Sequence, residues 1–129
     1  ITVDVIITNK SGEYLLVKRK NEPLKNKWWV PGGRVYKSDS FKGAIIRKMK
    51  EEVGFIPERI EFVDICSTEF KKSPYGCKIH NIGLFFKGEF SSKKEVIKID
   101  KQSFDWKWSK TLPKLFLSIL NKSVVRGGI

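Results

Sequence analysis

Residues 32–55 read GGRVYKSDSFKGAIIRKMKEEVGF, and the order of turn, helix and glycine in this stretch decides the fold. A double-glycine turn leads into apolar residues that recur at four-residue intervals, which predicts an amphipathic helix over about 39–53. Gly54 can adopt the left-handed conformation that commonly ends a helix. The stretch therefore predicts a tight turn followed by one well-defined helix.

The predicted helix carries its charged residues on one face. Because residues three and four apart are neighbours on a helix, Arg47 is expected over Glu51, and Lys48 over Glu52. The buried face is expected to consist of apolar residues, namely Phe41, Ile45, Met49 and Val53, with Ile46 beside it. Hard cations such as Mg²⁺ bind carboxylate oxygens and share them with substrate phosphates. The unit can therefore hold a divalent cation against a phosphate chain, although an ordinary helix with a solvated charged face is the alternative.

The spacing of these residues resembles the Nudix box, G-x5-E-x7-R-E-U-x-E-E-x-G-U, in which U is a large aliphatic residue. The matching positions are Gly33, Arg47, Met49, Glu51, Glu52 and Gly54, with Phe55 as an apolar end. Asp39 replaces the first Glu of the pattern conservatively, whereas Lys48 replaces the second Glu outright. The turn at 31–34 and the strand before it favour the Nudix assignment over the ordinary helix.

The rest of the chain predicts short strands around this helix. Predicted strands cover about 3–8, 14–19, 28–30, 60–70, 77–90 and 105–108, and a second amphipathic helix covers about 111–121. The first two strands are expected to form a hairpin. A mixed sheet between two helices is an α/β (α+β) fold, which the resemblance specifies as a Nudix-type α/β/α sandwich with residues 1–129 as a single domain.

Within the Nudix family, the chain resembles the bacterial GDP-mannose mannosyl hydrolases over about 3–108. The segments 12–19 and 30–35 and the tryptophan pair at 28 and 29 carry this likeness. Those enzymes direct water at the anomeric carbon of the sugar and release GDP, and they too lack the Glu that Lys48 replaces. The resemblance implies a hydrolase of a nucleoside diphosphate sugar, most of all GDP-mannose, that uses one metal ion. A general pyrophosphohydrolase, which attacks phosphorus, is the alternative.

The resemblance also implies a set of metal ligands. Glu52 would be the essential ligand, the backbone carbonyl of Gly32 and the side chain of Gln102 would add oxygens, and Glu51 would be a second acidic group. Mg²⁺ is the expected ion, with Mn²⁺ as the alternative. These oxygen ligands suit a hard cation.

Three arginines and one aspartate match substrate-site positions of the family. By resemblance, Arg34 would face the diphosphate and the leaving group, and Arg47 would join it in the box. Arg19 and Asp4 would lie at the substrate, where Asp4 holds either Arg19 or the sugar. Arginine forms bidentate contacts to phosphate, which suits these roles. For Arg47, an ion pair with an acidic residue of the box is the alternative.

The general base of the GDP-mannose enzymes has no counterpart here. Ser103 stands where those enzymes have a histidine, and a serine hydroxyl cannot hold a proton near neutral pH. His80 is the only histidine and is expected to be a packed strand residue. Three interpretations remain open: Glu69 or Glu51 acts as the base, water attacks phosphorus, or the chain is a catalytically weak nucleotide-sugar binding module.

The composition restricts the class of partner. The chain has 129 residues, 40% of them apolar, and a net charge of +12, which favours anionic partners. The basic residues are scattered and accompany no nucleic-acid-binding motif, and no stretch approaches the roughly 20 apolar residues of a membrane span. We therefore expect a small nucleotide-sugar substrate, and neither nucleic acid nor a membrane, as the partner.

The two cysteines and the N-terminal sequence are informative about the cellular compartment. Cys66 and Cys77 lack metal-type spacing and are expected to be two buried thiols in a reducing cytosol. No secretory leader is recognisable, so a cytoplasmic location is predicted. The chain begins with Ile1 and not with Met, directly in strand-like sequence, which is compatible with a further N-terminal segment before it. The family commonly forms dimers, so the resemblance also implies a homodimer.

Overall fold

The computed structural model describes most of the chain, namely residues 1–71, 77–90, 97 and 103–121, with 103 and 104 described by their backbone alone. The strands are β1 (Thr2–Thr8), β2 (Tyr14–Arg19), β3 (Trp28–Trp29), β4 (Gly32–Arg34), β5 (Glu58–Phe70), β6 (Ile79–Glu89) and β7 (Ser103–Ser109). The helices are α1 (Phe41–Glu52) and α2 (Lys114–Leu120). No helix of the described part is long and apolar enough to cross a membrane.

The seven strands form one mixed sheet with β1 in its interior. The main order is β3-β2-β1-β6-β5, while β4 pairs with β1 and β7 pairs with β2. β1 runs parallel to β6, and the other pairings are antiparallel. The predicted hairpin of β1 and β2 is present, but it meets only at Thr8 and Tyr14. The first half of β1 pairs with β4 instead, so Asp4 lies opposite Gly32 and the glycine turn enters the interior of the sheet.

The two helices cover opposite faces of the sheet. Successive side chains of β1 point alternately to these two faces, so β1 contributes to the core on both sides. One apolar cluster joins β1 to α1 and includes Val3, Val5, Ile7, Ala44, Ile45 and Met49. A second cluster lies against α2 and includes Ile6, Leu16, Trp29, Phe85, Phe116 and Ile119. Phe116 packs edge-on against both Trp29 and Phe85, which fixes α2 to the sheet. The predicted α/β/α sandwich is confirmed.

Helix α1 begins and ends where its capping residues allow. The Ser40 hydroxyl accepts a hydrogen bond from the Gly43 N–H at 2.9 Å, and Gly54 follows the helix with φ +81°. The predicted burial of Phe41 is wrong, since its side chain is 48% exposed. Phe41 is the first residue of the helix, and the buried residues of the helix begin one turn later, at Ala44 and Ile45.

Two further expectations need correction. Helix α2 begins at Lys114 and not near 111, because the ring of Pro113 disfavours helical geometry at the residue before it. Of the two thiols, Cys66 is buried but Cys77 is exposed, since Cys77 precedes the start of β6. Neither cysteine forms a disulfide bond, as predicted.

Candidate functional site

The last carboxylate of α1 contacts the glycine turn. Glu52 is 3% exposed, and its Oε2 accepts a hydrogen bond from the Gly32 N–H at 3.3 Å. Gly32 itself has no room for a side chain, because a Cβ there would lie 2.3 Å from the Val3 carbonyl oxygen and 2.4 Å from Asp4 Oδ1. The turn, the end of the helix and the start of β1 therefore meet at one point.

Asp4 and Arg19 lie on the sheet side of this point. Removal of water by the surrounding protein raises the pKa of Asp4 to about 7, although the charge of Arg19 acts in the opposite direction. Arg19 also donates from Nε to the Pro23 carbonyl oxygen at 2.8 Å, which ties it to the loop after β2. The structure thus brings Asp4, Arg19, Gly32 and Glu52 together, and their substrate and metal roles stay predictions.

Replacing Asp4 by Asn is expected to change how stability depends on pH. The pKa of Asp4 is raised in the folded state, so its contribution is fully present below about pH 3.8 and is lost as pH rises through about 7. We expect Asp4→Asn to gain about 2 kcal/mol over the native chain between pH 4 and pH 8, less than the full shift in pKa would give, because Asp4 as a residue is only partly buried. Urea unfolding at several pH values measures this, and parallel curves for the two proteins would contradict it.

The Arg47 guanidinium holds the turn against the helix. Its Nη2 donates to Asp39 Oδ2 at 2.7 Å and to the Arg34 carbonyl oxygen at 3.0 Å, and Nη1 lies 3.7 Å from Glu51 Oε2. The Tyr36 ring covers the guanidinium at 4.0 Å. Although burial acts to lower it, the hydrogen bond that Arg47 donates to Asp39 raises the pKa of Arg47, and the same bond lowers the pKa of Asp39. The ion pair given above as the alternative for Arg47 is therefore present, and its role at the substrate stays a prediction.

Lys48 occupies a place that the sequence did not indicate. Its side chain is buried and lies over Gly33, where a Cβ would meet Cε at 2.1 Å and Nζ at 3.0 Å. The predicted pairing of Lys48 with Glu52 is replaced by one with Glu51, whose Oε2 is 3.9 Å from Nζ. Glu52 turns inward to Gly32 instead, so the charged face of the helix is divided between a buried and an exposed part.

The oxygen donors at this site fit a divalent cation. Glu52 offers a buried carboxylate, and Glu51 offers one whose side chain is 54% exposed. Mg²⁺ is usually bound by one or two carboxylates, with waters and substrate phosphates completing its shell. No group of three or more His, Cys, Asp or Glu side chains able to hold a metal occurs in the described part of the chain. Gln102, the further predicted ligand, lies outside the described residues.

The candidates for a general base are dispersed. His80 Nε2 makes a hydrogen bond with the Ser67 hydroxyl across β5 and β6. The predicted packing of His80 is wrong, since the residue is exposed: it is the second residue of β6 and precedes the buried part of that strand. Glu69 is an exposed residue opposite His80 in the same pair of strands. Ser103 pairs through its backbone with Arg19. None of these contacts assigns a base.

The NUDIX domain model matches residues 1–111 of this sequence. The chain belongs to the Nudix family. An ADP-ribose pyrophosphatase of Methanocaldococcus jannaschii is 36% identical over 86 residues, which cover 67% of this chain and 48% of that protein. The low-salt glycan biosynthesis protein Agl8 of Haloferax volcanii is 41% identical over 54 residues, 42% of this chain and 34% of Agl8. The matched regions thus span less than half the length of these two curated relatives.

A solved structure supports the same fold. The NUDIX domain of Shewanella oneidensis NrtR, solved in complex with ADP ribose, superposes with a TM-score of 0.71 at 21% identity. The match covers 94% of this chain and 83% of that chain. At this identity the likeness establishes the Nudix fold of the chain and nothing about its ligand.

Two features of this Nudix site were not found from the sequence. The Tyr36 ring over Arg47 depends on the path of the loop between β4 and α1, which no periodicity encodes. The burial of Lys48 had one available signal: it lies one turn before Glu52 and one position before Met49, on the border between the charged and apolar faces. Long lysine stems commonly pack on apolar surfaces at such borders.

Proposed function

We propose that this Nudix domain catalyses the metal-dependent hydrolysis of the diphosphate bond in a nucleoside diphosphate sugar of the ADP-ribose type. The observation that carries the proposal is the contact between the buried Glu52 carboxylate and the Gly32 amide, beside the half-exposed Glu51. The contact holds the Glu52 carboxylate at the glycine turn, which under this proposal is the turn that the diphosphate approaches. The likeness to an ADP-ribose pyrophosphatase over 67% of the chain supports this substrate class.

Binding of the substrate is assigned to the arginines and the metal ligands. Glu52 and Glu51, with the Gly32 backbone, would hold one Mg²⁺, which when bound polarises a phosphoryl oxygen. Arg34 follows the turn with an exposed side chain and is assigned to the diphosphate, where a guanidinium forms bidentate contacts. Arg47 orients the backbone of Arg34 through its hydrogen bond to the carbonyl oxygen.

The reaction is a displacement at phosphorus. The oxygen of water bonds to one phosphorus, and the bond from that phosphorus to the bridging oxygen breaks. The leaving phosphate takes the bonding electrons, and the proton of water passes to an acceptor at the site. Cations near the bridging oxygen stabilise the charge that develops there. Positioning and charge stabilisation account for most of the catalysis in such transfers.

A second candidate is glycosyl hydrolysis of GDP-mannose, in which water attacks the anomeric carbon and GDP leaves intact. One observation favours it: Lys48 stands where the general Nudix pattern has a carboxylate, a departure that the GDP-mannose enzymes share by resemblance. The 41% identity to Agl8, a glycan biosynthesis protein, supports a nucleotide-sugar substrate as well. The absence of a histidine at Ser103 weighs against it. A homodimer and a cytoplasmic location remain predictions from the sequence.

Product analysis tests the proposal. The purified chain is incubated with ADP-ribose and, separately, with GDP-mannose, each with Mg²⁺ or with EDTA, and the products are separated by anion-exchange chromatography. We expect Mg²⁺-dependent formation of AMP and ribose 5-phosphate. Free mannose and intact GDP would favour the second candidate. Ligand-induced stabilisation without any product would support a binding module instead.

A further inference from the structure

Lys48 reverses the charge at one position of the metal-binding box. The Nudix pattern that this sequence resembles has a glutamate there, so the substitution of lysine changes the local charge by two units. That change equals the charge of one divalent cation. Glu51 and Glu52 remain as the two carboxylates of the same helix end.

The Lys48 side chain is largely covered by the protein and packs against the glycine turn. The residue is 6% exposed, and its stem lies so close to Gly33 that a methyl group there would meet Cε at 2.1 Å. Glycine at 33 therefore provides the space that the lysine occupies. The same turn, through Gly32, contacts the Glu52 carboxylate.

The Lys48 ammonium has N–H donors without a hydrogen-bond partner among the described residues. Within the described residues its one ion pair is with Glu51 Oε2 at 3.9 Å, which is beyond hydrogen-bond distance. A lysine ammonium carries three N–H donors, and burying it is costly unless anionic oxygens bind it. An anionic ligand at the turn would supply those oxygens.

We propose that Lys48 is a built-in cation of the active site, which binds a phosphate oxygen of the diphosphate and replaces one divalent metal ion. The inference rests on the proposed function for its ligand class. It makes the site a one-metal site in which the protein supplies the remaining positive charge. It also makes Lys48 a substrate-binding residue in a place where the family pattern has a carboxylate.

Metal binding without substrate tests the charge role directly. Mn²⁺ is titrated and the free ion is counted by electron paramagnetic resonance for the native chain, Lys48→Met and Lys48→Glu, with Lys50→Met and Lys50→Glu as matched controls. Lys50 is on the same helix but exposed. One unit charge about 6 Å from a divalent ion changes its binding about tenfold even in water.

We expect one Mn²⁺ in the native chain, about tenfold tighter binding in Lys48→Met, and a second bound ion in Lys48→Glu. The Lys50 variants should stay within about threefold of the native chain, because exposed charges are screened. Titration with inorganic pyrophosphate should show about tenfold weaker binding to Lys48→Met than to Lys50→Met. If Lys48→Glu does not fold, the two Met variants decide the question.

Equal Mn²⁺ and pyrophosphate affinities in Lys48→Met and Lys50→Met would overturn the proposal and leave Lys48 as a packing residue. The outcome is separable from that of the proposed function. If the affinities change as expected but no nucleoside diphosphate sugar is hydrolysed, the role of Lys48 as a cation of the site is supported and the proposed reaction is refuted. If the substrate is hydrolysed but the Mn²⁺ and pyrophosphate affinities of the Lys48 variants are unchanged, the proposed reaction is supported and the role of Lys48 as a cation is refuted.

Discussion

Replacing Glu52 by Gln is expected to lower the turnover number about a thousandfold with little loss of stability. Glutamine keeps the shape of the side chain and an oxygen that can accept the Gly32 N–H, so the contact at 3.3 Å can persist. It removes the negative charge that a hard cation needs. A thousandfold loss corresponds to about 4 kcal/mol of transition-state stabilisation, which is a typical share for a catalytic metal.

The matched control for this variant is Glu61→Gln. Glu61 is exposed and pairs with Lys87 across two strands at 3.3 Å, an arrangement that contributes little. Its turnover should equal that of the native chain. Steady-state rates at several Mg²⁺ concentrations, together with thermal unfolding of both variants, make the comparison. A near-normal rate in Glu52→Gln would remove Glu52 from the metal shell.

Replacing Gly32 by Ala is expected to destabilise the fold by about 3 kcal/mol, at the upper end of what overpacking costs. The new methyl group would lie 2.3 Å from the Val3 carbonyl oxygen and 2.9 Å from the Asp4 Cα. Both atoms belong to the backbone of a strand in the sheet interior, so no side-chain rotation can relieve the contact. The turn must move, and the activity should fall with it.

Gly83→Ala is the control for this second variant. Gly83 also lies in a strand beside β1, but a methyl group there would have its nearest contacts at 3.5 Å, an ordinary separation. Its stability should remain within about 1 kcal/mol of the native chain. Urea unfolding of the two variants side by side measures the difference. Equal midpoints would contradict the close packing of the turn against β1.

The sequence predicted the box helix and its ends because local signals determine them. Ser40 accepts the capping bond at the start of the helix, and Gly54 has the positive φ that a helix end favours. The resemblance to the Nudix box added what periodicity alone does not contain, namely the α/β/α sandwich. The pairing of the glycine turn with the first strand was not predicted.

The sequence did not predict which charged residues turn inward. Phe41 is exposed, whereas Lys48 and Glu52 are buried, because the sheet and the turn, and not the helix period, decide which part of α1 is covered. The pKa of Asp4, raised to about 7, likewise depends on neighbours from β4 and on Arg19, which lie far apart in the sequence. Such effects arise only from tertiary contacts.

The most direct test of the account is hydrolysis in ¹⁸O-labelled water. The native chain is incubated with ADP-ribose and Mg²⁺, and the products are identified by mass spectrometry. Attack at phosphorus predicts one ¹⁸O atom in a phosphate group of AMP or of ribose 5-phosphate. Label in a free sugar beside an intact nucleoside diphosphate, or the absence of any product, would contradict it.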